Sequence, residues 1–195
     1  MRAGNGFHTF LSVDRDSKLI INSRTAKHTR EEATAFLFDL KARVTNRINL
    51  TTDGWITYGG RNGAVQCVFG DKIDYATETK RYASIPSRLK RLRRISPLEV
   101  ISVRKTKKIG EPDMELATTC HCERTNLSVR LFNRRFTRLT LGFSKKLENL
   151  RYSVALFIAH FNFCRVHSSH KKTPAMAAEL TNHVWTIEEL LAEPI

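Results

Sequence analysis

Two short apolar segments, residues 8–13 (HTFLSV) and 18–23 (KLIINS), are separated by the polar residues Asp14–Ser17. Both segments are rich in β-branched or aromatic residues, which favour extended backbone, whereas Asp and Ser favour turns. Strand formers on either side of turn formers are typical of a hairpin. We therefore expect two antiparallel strands here.

Apolar residues recur at intervals of three or four in later segments of the chain, which predicts helices with one buried face. The first of these segments begins at Thr29, a residue type that caps helices well. The expected helices cover, in order, the residues from Thr29 to Val44, about 119–139, about 144–164 and, capped by Thr186, 186–192.

The middle of the chain combines strand-like segments with a basic stretch. Residues 48–52 (INLTT) form a short apolar run that ends at Asp53, and residues 73–78 (IDYATE) have the composition of a strand. Residues 80–113 contain three prolines and no lasting period, which predicts a long irregular loop. The order of these elements predicts an α/β fold with helices packed on a small mixed sheet.

Length and composition fit one ordinary globular domain. The 195 residues are 41% hydrophobic and 27% charged, which is sufficient for a hydrophobic core. No apolar run approaches the roughly eighteen residues of a membrane span, so we expect a cytoplasmic protein with no membrane partner. The segment Cys120-His121-Cys122 contains metal-ligand residue types but lacks a second pair, so we interpret the cysteines as reduced thiols.

Basic residues outnumber acidic ones by 33 to 19, which gives a net charge of +14. They are clustered: there are eleven Lys or Arg and one acid between Lys80 and Lys108, and eight and one between Arg124 and Arg151. Two such clusters favour binding to a polyanion, because each neutralised phosphate releases condensed counterions. A merely solvated surface is the alternative, and charge alone does not distinguish DNA from RNA.

Two carboxylates are candidates for metal chemistry. Asp53 is expected at the carboxyl end of a strand, where open α/β sheets place their ligands. Glu123 is expected early in a helix, with Arg130 two turns later on the same face and Arg134 and Arg138 extending that face. Carboxylates beside arginines suit a divalent metal held against a phosphate backbone. The alternatives are structural roles without a metal: Asp53 and Gly54 form a turn, and Glu123 interacts favourably with the helix dipole.

Five segments resemble, in the same order, the transposases of the insertion sequence one family. The resemblance covers most of residues 8–192. The segments are VDRDSKLI at 13–20, TTDGW at 51–55, CHCERTNLSVR at 120–130, NRRFTRLTLGFSKKLEN at 133–149 and FNFCRVHSSHKKTPAMAAEL at 161–180.

The resemblance implies a ribonuclease H-like core that cuts and joins DNA strands with Mg²⁺ or Mn²⁺ bound by a DDE triad. It implies that Asp53 is the second Asp of the triad, that Glu123 is its Glu, and that both are catalytic metal ligands, with Arg130 beside them. His167 in the FCRVH segment would contact DNA, or else cap the end of its helix. The residues expected to bind DNA are Arg91, Arg94, Arg130, Arg134, Arg135, Arg138, Lys145 and Lys146.

The sequence departs from the family at the first Asp, which the family carries on a central strand preceding the segment at 13–20. We therefore expect an N-terminally truncated core over 1–182, with a basic insertion at about 80–113, and a C-terminal amphipathic helix over 183–195. The missing strand would lie between those at 8–13 and 48–52. These two strands would either pair across the gap or leave backbone groups unpaired.

The leading hypothesis is accordingly a DDE-type DNA transposase, inactive or impaired, that binds transposon ends in the bacterial cytoplasm near the nucleoid, with a homo-oligomer as one option for its assembly. Loss of one of three metal ligands is expected to leave weak or no catalysis. The alternatives are a non-catalytic DNA-binding remnant of a mobile element and an unrelated basic RNA-binding protein.

Overall fold

The computed structural model describes residues 6–59, 62–83, 99–137 and 141–192. The chain forms two compact units: the first consists of Met1–Thr45 with Cys120–Ile195, and the second of Asn46–Thr119. The strands are β1 (His8–Val13), β2 (Ile20–Ala26), β3 (Asn49–Asp53), β4 (Asp74–Tyr82) and β5 (Val100–Ile109). The α-helices are α1 (Arg30–Arg43), α2 (Ile56–Gly59), α3 (Ala64–Phe69), α4 (Cys120–Phe132), α5 (Leu147–Ala159), α6 (Pro174–Ala177) and α7 (Ile187–Ala192).

The first unit contains the predicted hairpin, in which β1 and β2 pair antiparallel. The Asp14 carboxylate closes the turn by accepting the backbone N–H of Ser17 at 2.8 Å and its hydroxyl at 2.6 Å. Strand β2 begins at Ile20, later than expected. The reason is that Lys18 has a left-handed φ of 65° and belongs to the turn.

Helix α1 confirms both its predicted start and its predicted buried face. The Thr29 side chain accepts the backbone N–H of Glu32, which satisfies one of the unpaired donors of the first turn. Its apolar side chains contribute on the order of 1.5–3 kcal/mol each when fully buried. The buried residues are Ala33, Phe36, Leu37 and Leu40.

Helix α4 is shorter than the predicted 119–139. It ends at Phe132 because the Asn133 side chain begins a separate 3₁₀ turn, Arg134–Phe136, by accepting the N–H of Arg135 at 3.1 Å. The Asn133 amide also donates to the carbonyl and hydroxyl oxygens of Ser153 on α5. The predicted ridge of arginines at four-residue intervals is therefore wrong at Arg134, which lies outside α4, and Arg138 lies outside the described residues.

Helices α4 and α5 pack around a small apolar core. This core consists of Val129, Phe136, Leu150 and Val154. Helix α5 continues into a π-helical turn, His160–Cys164, so the predicted helix over 144–164 is present with a later start. Helix α7 is capped as expected, because Thr186 Oγ1 accepts the N–H of Glu189 at 3.1 Å.

The second unit contains a mixed three-stranded sheet in the order β3-β4-β5, which confirms the α/β class. Strands β3 and β4 are parallel and are connected through α2 and α3, whereas β4 and β5 are antiparallel. Tyr75 of β4 is buried, and its hydroxyl group lies 2.8 Å from that of Thr52 on β3. Burial raises the pKa of Tyr75 to about 12. Strands β1 and β3 belong to different sheets.

The prediction of an irregular loop over residues 80–113 is wrong at residues 80–82 and 100–109, which are strands. Strand β4 continues through Tyr82, and residues 100–109 (VISVRKTKKI) form β5, the longest strand among the described residues. The prolines and the charge obscured the β-branched residues that recur through this segment. Residues 84–98 lie outside the part of the chain that the structure describes. No helix in the described ranges is long and apolar enough to cross a membrane.

Candidate nucleic-acid interface and carboxylates

Asp53 is the last residue of β3, as the strand pattern predicted, and it is exposed. Its Oδ1 accepts the backbone N–H of Trp55 at 3.1 Å, which orders the turn into α2. Gly54 passes directly over β4: a Cβ atom at this position would lie 2.5 Å from Thr79 Oγ1. The carboxylate is thus held at the carboxyl end of β3 by the N–H of Trp55, and Gly54 packs closely against Thr79 of β4.

Glu123 lies in the first turn of α4 and is exposed, and Arg130 follows on the same helix, half-buried. The two predicted catalytic carboxylates belong to different units, Asp53 to the second and Glu123 to the first. Across the described ranges, no group of three or more His, Cys, Asp or Glu residues is arranged to hold a metal ion.

Glu78 is a carboxylate that the sequence did not single out. It pairs with Asp53 across β3 and β4, and it is only 5% exposed. Its Oε2 accepts the backbone N–H of Thr119 at 2.8 Å and the Thr119 hydroxyl at 2.6 Å, and lies 3.8 Å from Lys80 Nζ. Burial alone would raise the pKa of this carboxyl, but the hydrogen bonds from Thr119 and the charge of Lys80 hold the pKa below its usual value.

Strands β4 and β5 form a basic ribbon with two different faces. Side chains of directly paired residues lie on the same side of a sheet. Thr79 pairs with Arg104 and Arg81 with Ser102, so these four exposed residues share one side of the ribbon, which we call the arginine face. Within the described residues, the Arg81 and Arg104 side chains form no hydrogen bond or ion pair.

The opposite side, which we call the lysine face, carries Lys80, Lys105 and Lys107, and all three have partners. Lys80 lies near Glu78, as described above, and Lys107 forms an ion pair with Glu111. Lys105 Nζ donates to the carbonyl oxygens of Met114 and Glu115 at 2.9 and 3.1 Å. Cations of the lysine face therefore serve the fold, whereas the guanidinium groups of the arginine face remain available to an anion.

The predicted DNA-binding residues have varied surroundings. Arg134 is exposed, as are Lys145 and Lys146 ahead of α5. Arg135 is half-buried, and its guanidinium donates to Ser144 Oγ at 2.8 Å, which is a packing contact within the first unit. Arg91, Arg94 and Arg138 lie outside the described residues.

Arg81 and Arg104 were not predicted individually, although both lie within basic clusters of the sequence. The alternation of Ser102, Arg104 and Thr106 is a period-two signal that could have identified one polar face of a strand. The pairing of this strand with β4 depends on contacts between residues far apart in the sequence, which a local pattern does not show.

No protein-family model, curated protein or solved structure matches this chain.

Proposed function

We propose that this chain is a DNA-binding transposase of the DDE type with a ribonuclease H-like core, impaired in the metal-dependent cleavage and transfer of DNA strands. The observation that carries the proposal is the arginine face. It presents two unpaired guanidinium groups, Arg81 and Arg104, and hydroxyl groups beside them, at Thr79 and Ser102. Thr79 also packs against Gly54, the residue that follows Asp53 in the chain, whereas the Asp53 side chain lies on the same side of the sheet as Glu78. Arginine forks and hydroxyl groups are the donors that proteins use to contact phosphate oxygens.

The two carboxylates fit Mg²⁺ or Mn²⁺ by their chemistry. Both are exposed oxygen donors, and Mg²⁺ is usually held by one or two carboxylates together with phosphate oxygens of the substrate. By its chemistry, each of Asp53 and Glu123 is a candidate ligand for such a metal. When bound, it would activate the attacking water or 3′-hydroxyl and offset the charge that develops on the phosphodiester. The residues of the arginine face would contact the phosphates of the DNA strand on the second unit, which also carries Asp53.

A second candidate is DNA binding without strand cleavage. The observation that favours it is the state of Glu78, the carboxylate paired with Asp53 across the sheet. Glu78 is buried and engaged by Thr119, so it does not add a further metal ligand beside Asp53. On this interpretation the arginine face binds DNA without catalysis, and the Asp53 carboxylate only accepts the hydrogen bond that orders the turn into α2.

The two candidates are separated by a nicking assay with the purified chain, supercoiled plasmid DNA and Mg²⁺. The transposase proposal predicts nicking that Asp53→Asn and Glu123→Gln each reduce by roughly a hundredfold or more, because each removes a metal ligand. The control is Glu115→Gln, an exposed acid of the second unit, which is expected to nick at the wild-type rate. DNA binding without nicking would establish the second candidate, and failure to bind DNA would overturn both.

A further inference from the structure

Three segments of the first unit bring cationic side chains together around Lys18. In the turn between β1 and β2, Lys18 Nζ donates to the carbonyl oxygen of Arg15. The same ammonium lies 3.4 Å from Nδ1 of His121, in the first turn of α4. The hairpin turn and the beginning of α4 are therefore in direct contact through two basic side chains.

The third segment follows the π-helical turn after α5. The rings of His167 and His170 lie 5.7 Å apart between centroids. Burial lowers the pKa of His167, and so do the nearby charges of His170, Lys18, Arg165 and Arg124. Asn162 of the π-helical turn exchanges two hydrogen bonds of 3.0 Å with the backbone of Ile20, two residues after Lys18, so the third segment also packs against the hairpin and the three segments form one group. We call it the cationic cluster; its members are Lys18, His121, Arg124, Arg165, His167 and His170.

The acidic residues that face the cationic cluster do not neutralise it. Asp14 and Asp16 lie in the hairpin turn, and Glu123 lies on α4. Asp14 is already engaged by its own turn. Within the described part of the chain, no member of the cluster forms an ion pair with a carboxylate. Like charges held this close repel one another, so an anion bound among them would be stabilised.

The hydrogen bonds within the cluster leave suitable donors available. An ammonium can only donate, so His121 accepts from Lys18 at Nδ1. His167 likewise accepts at Nδ1 from the backbone N–H of Ser169 at 3.4 Å. In both neutral rings the proton therefore lies on Nε2, which remains a donor. Lys18 keeps one further N–H, because two of its three are used.

The two arginines complete the set of donors in different ways. Arg124 is exposed on α4, and its side chain forms no hydrogen bond or ion pair with a described residue. The Arg165 guanidinium lies 4.4 Å from the centre of the Phe132 ring, which orients it while leaving its edge N–H groups available. Nε2–H, ammonium and guanidinium groups from three segments are the donors that a tetrahedral oxyanion requires.

We propose that the cationic cluster is a phosphate-binding site whose ligand is a phosphodiester of duplex DNA. The proposal deepens the proposed function and rests on it for the source of the phosphate. The net charge of +14 and the exposure of Arg124 and His170 favour an extended polyanion over a small buried ion. The cluster is separate from the arginine face, which belongs to the second unit, and so adds a second contact region to the DNA-binding surface.

The first test measures binding of a labelled DNA duplex by fluorescence anisotropy over a range of salt concentrations. Lys18→Gln, Arg124→Gln and His167→Gln are each expected to weaken binding roughly three- to tenfold, and the Lys18 and Arg124 variants to reduce the salt slope by about one. Lys27→Gln, an exposed lysine outside the cluster, provides the same change of charge and is expected to bind as the wild type does. Arg124→Gln removes no hydrogen bond or ion pair with a described residue, so it tests the site even where another variant folds poorly.

The second measurement uses inorganic phosphate and the histidine NMR signals of the full chain. Phosphate is expected to raise the pKa of His167, and Arg124→Gln to reduce that shift. If wild-type protein binds DNA but Arg124→Gln and His167→Gln bind equally well, the cluster proposal is wrong and the proposed function stands. If phosphate shifts His167 but duplex DNA does not bind, the assignment to DNA and the proposed function both fail. Tighter binding of RNA, lost in the same variants, would also overturn the assignment to DNA.

Discussion

The two faces of the β4–β5 ribbon carry similar charges and differ in what those charges contact. On the lysine face, Lys80 and Lys107 lie beside carboxylates and Lys105 donates to two backbone carbonyls. On the arginine face, Arg81 and Arg104 have no partner among the described residues. The difference teaches that a count of basic residues does not locate a binding surface. Cations that already serve the fold contribute little to binding, whereas cations without partners are available to a ligand.

The largest expected effect comes from neutralising the arginine face. Arg81→Gln combined with Arg104→Gln is expected to weaken DNA binding roughly ten- to a hundredfold, since two phosphate contacts are lost. The matched control is Lys105→Gln combined with Lys107→Gln, which makes the same change of charge on the same strand pair. Anisotropy titrations of both double variants would break the comparison if the control lost as much affinity as the arginine variant.

A smaller effect, on stability, is expected on the lysine face. Glu78→Ala removes the acceptor for the Thr119 N–H and is expected to lower the free energy of unfolding by about 1–3 kcal/mol. Glu78→Gln keeps an acceptor and is expected to cost less. Urea denaturation of both variants measures the difference, and equal costs would show that the hydrogen bond to Thr119 is not what Glu78 contributes.

The same carboxylate predicts a dependence on pH. The pKa of Glu78 is lower in the folded chain than its ordinary value of 4.5. Its stabilising contribution is therefore fully present above pH 4.5 and is lost as the pH falls below that value, through the pKa of the folded state. In Glu78→Gln this part of the acid destabilisation is expected to be absent, which unfolding curves at a series of pH values would show.

The smallest effect concerns the close contact between Gly54 and Thr79 of the arginine face. Gly54→Ala places a Cβ atom 2.5 Å from Thr79 Oγ1 and is expected to destabilise the chain by about 1–2 kcal/mol. Thr79→Ala removes the nearest atom, so the double variant should recover most of that loss. A double-mutant cycle by urea denaturation measures this coupling, and strict additivity would contradict the close approach of Gly54 to β4.

The sequence predicted those elements whose signals are local. The hairpin turn at Asp14–Ser17, the cap at Thr29 and the apolar spacing of α1 depend on residues a few positions apart. The carboxyl-terminal position of Asp53 on β3 was predicted for the same reason. Helix α4 ends early because Asn133 accepts the N–H of Arg135 and begins a 3₁₀ turn. Asn133 also bonds to Ser153, twenty positions further along the chain, and that partner cannot be identified from a local pattern.

The candidate site was predicted only in part for a similar reason. The division of Lys and Arg into two faces depends on the register of β4 against β5, and the burial of Glu78 depends on Thr119, which is 41 positions away in the sequence. Charge clustering led to the prediction of polyanion binding, but it did not distinguish one cation of the region from another. The hydrogen bonds and ion pairs of the folded chain distinguish the cations that have partners from those that do not.

The most direct test of the central claim is the reactivity of individual arginines toward an arginine-specific reagent such as phenylglyoxal, measured by mass spectrometry with and without duplex DNA. The account predicts that DNA protects Arg81 and Arg104, while Arg43, which pairs with Asp39 on α1, reacts equally in both conditions. Equal reactivity of Arg81 and Arg104 with and without DNA, in protein that binds the duplex, would contradict it.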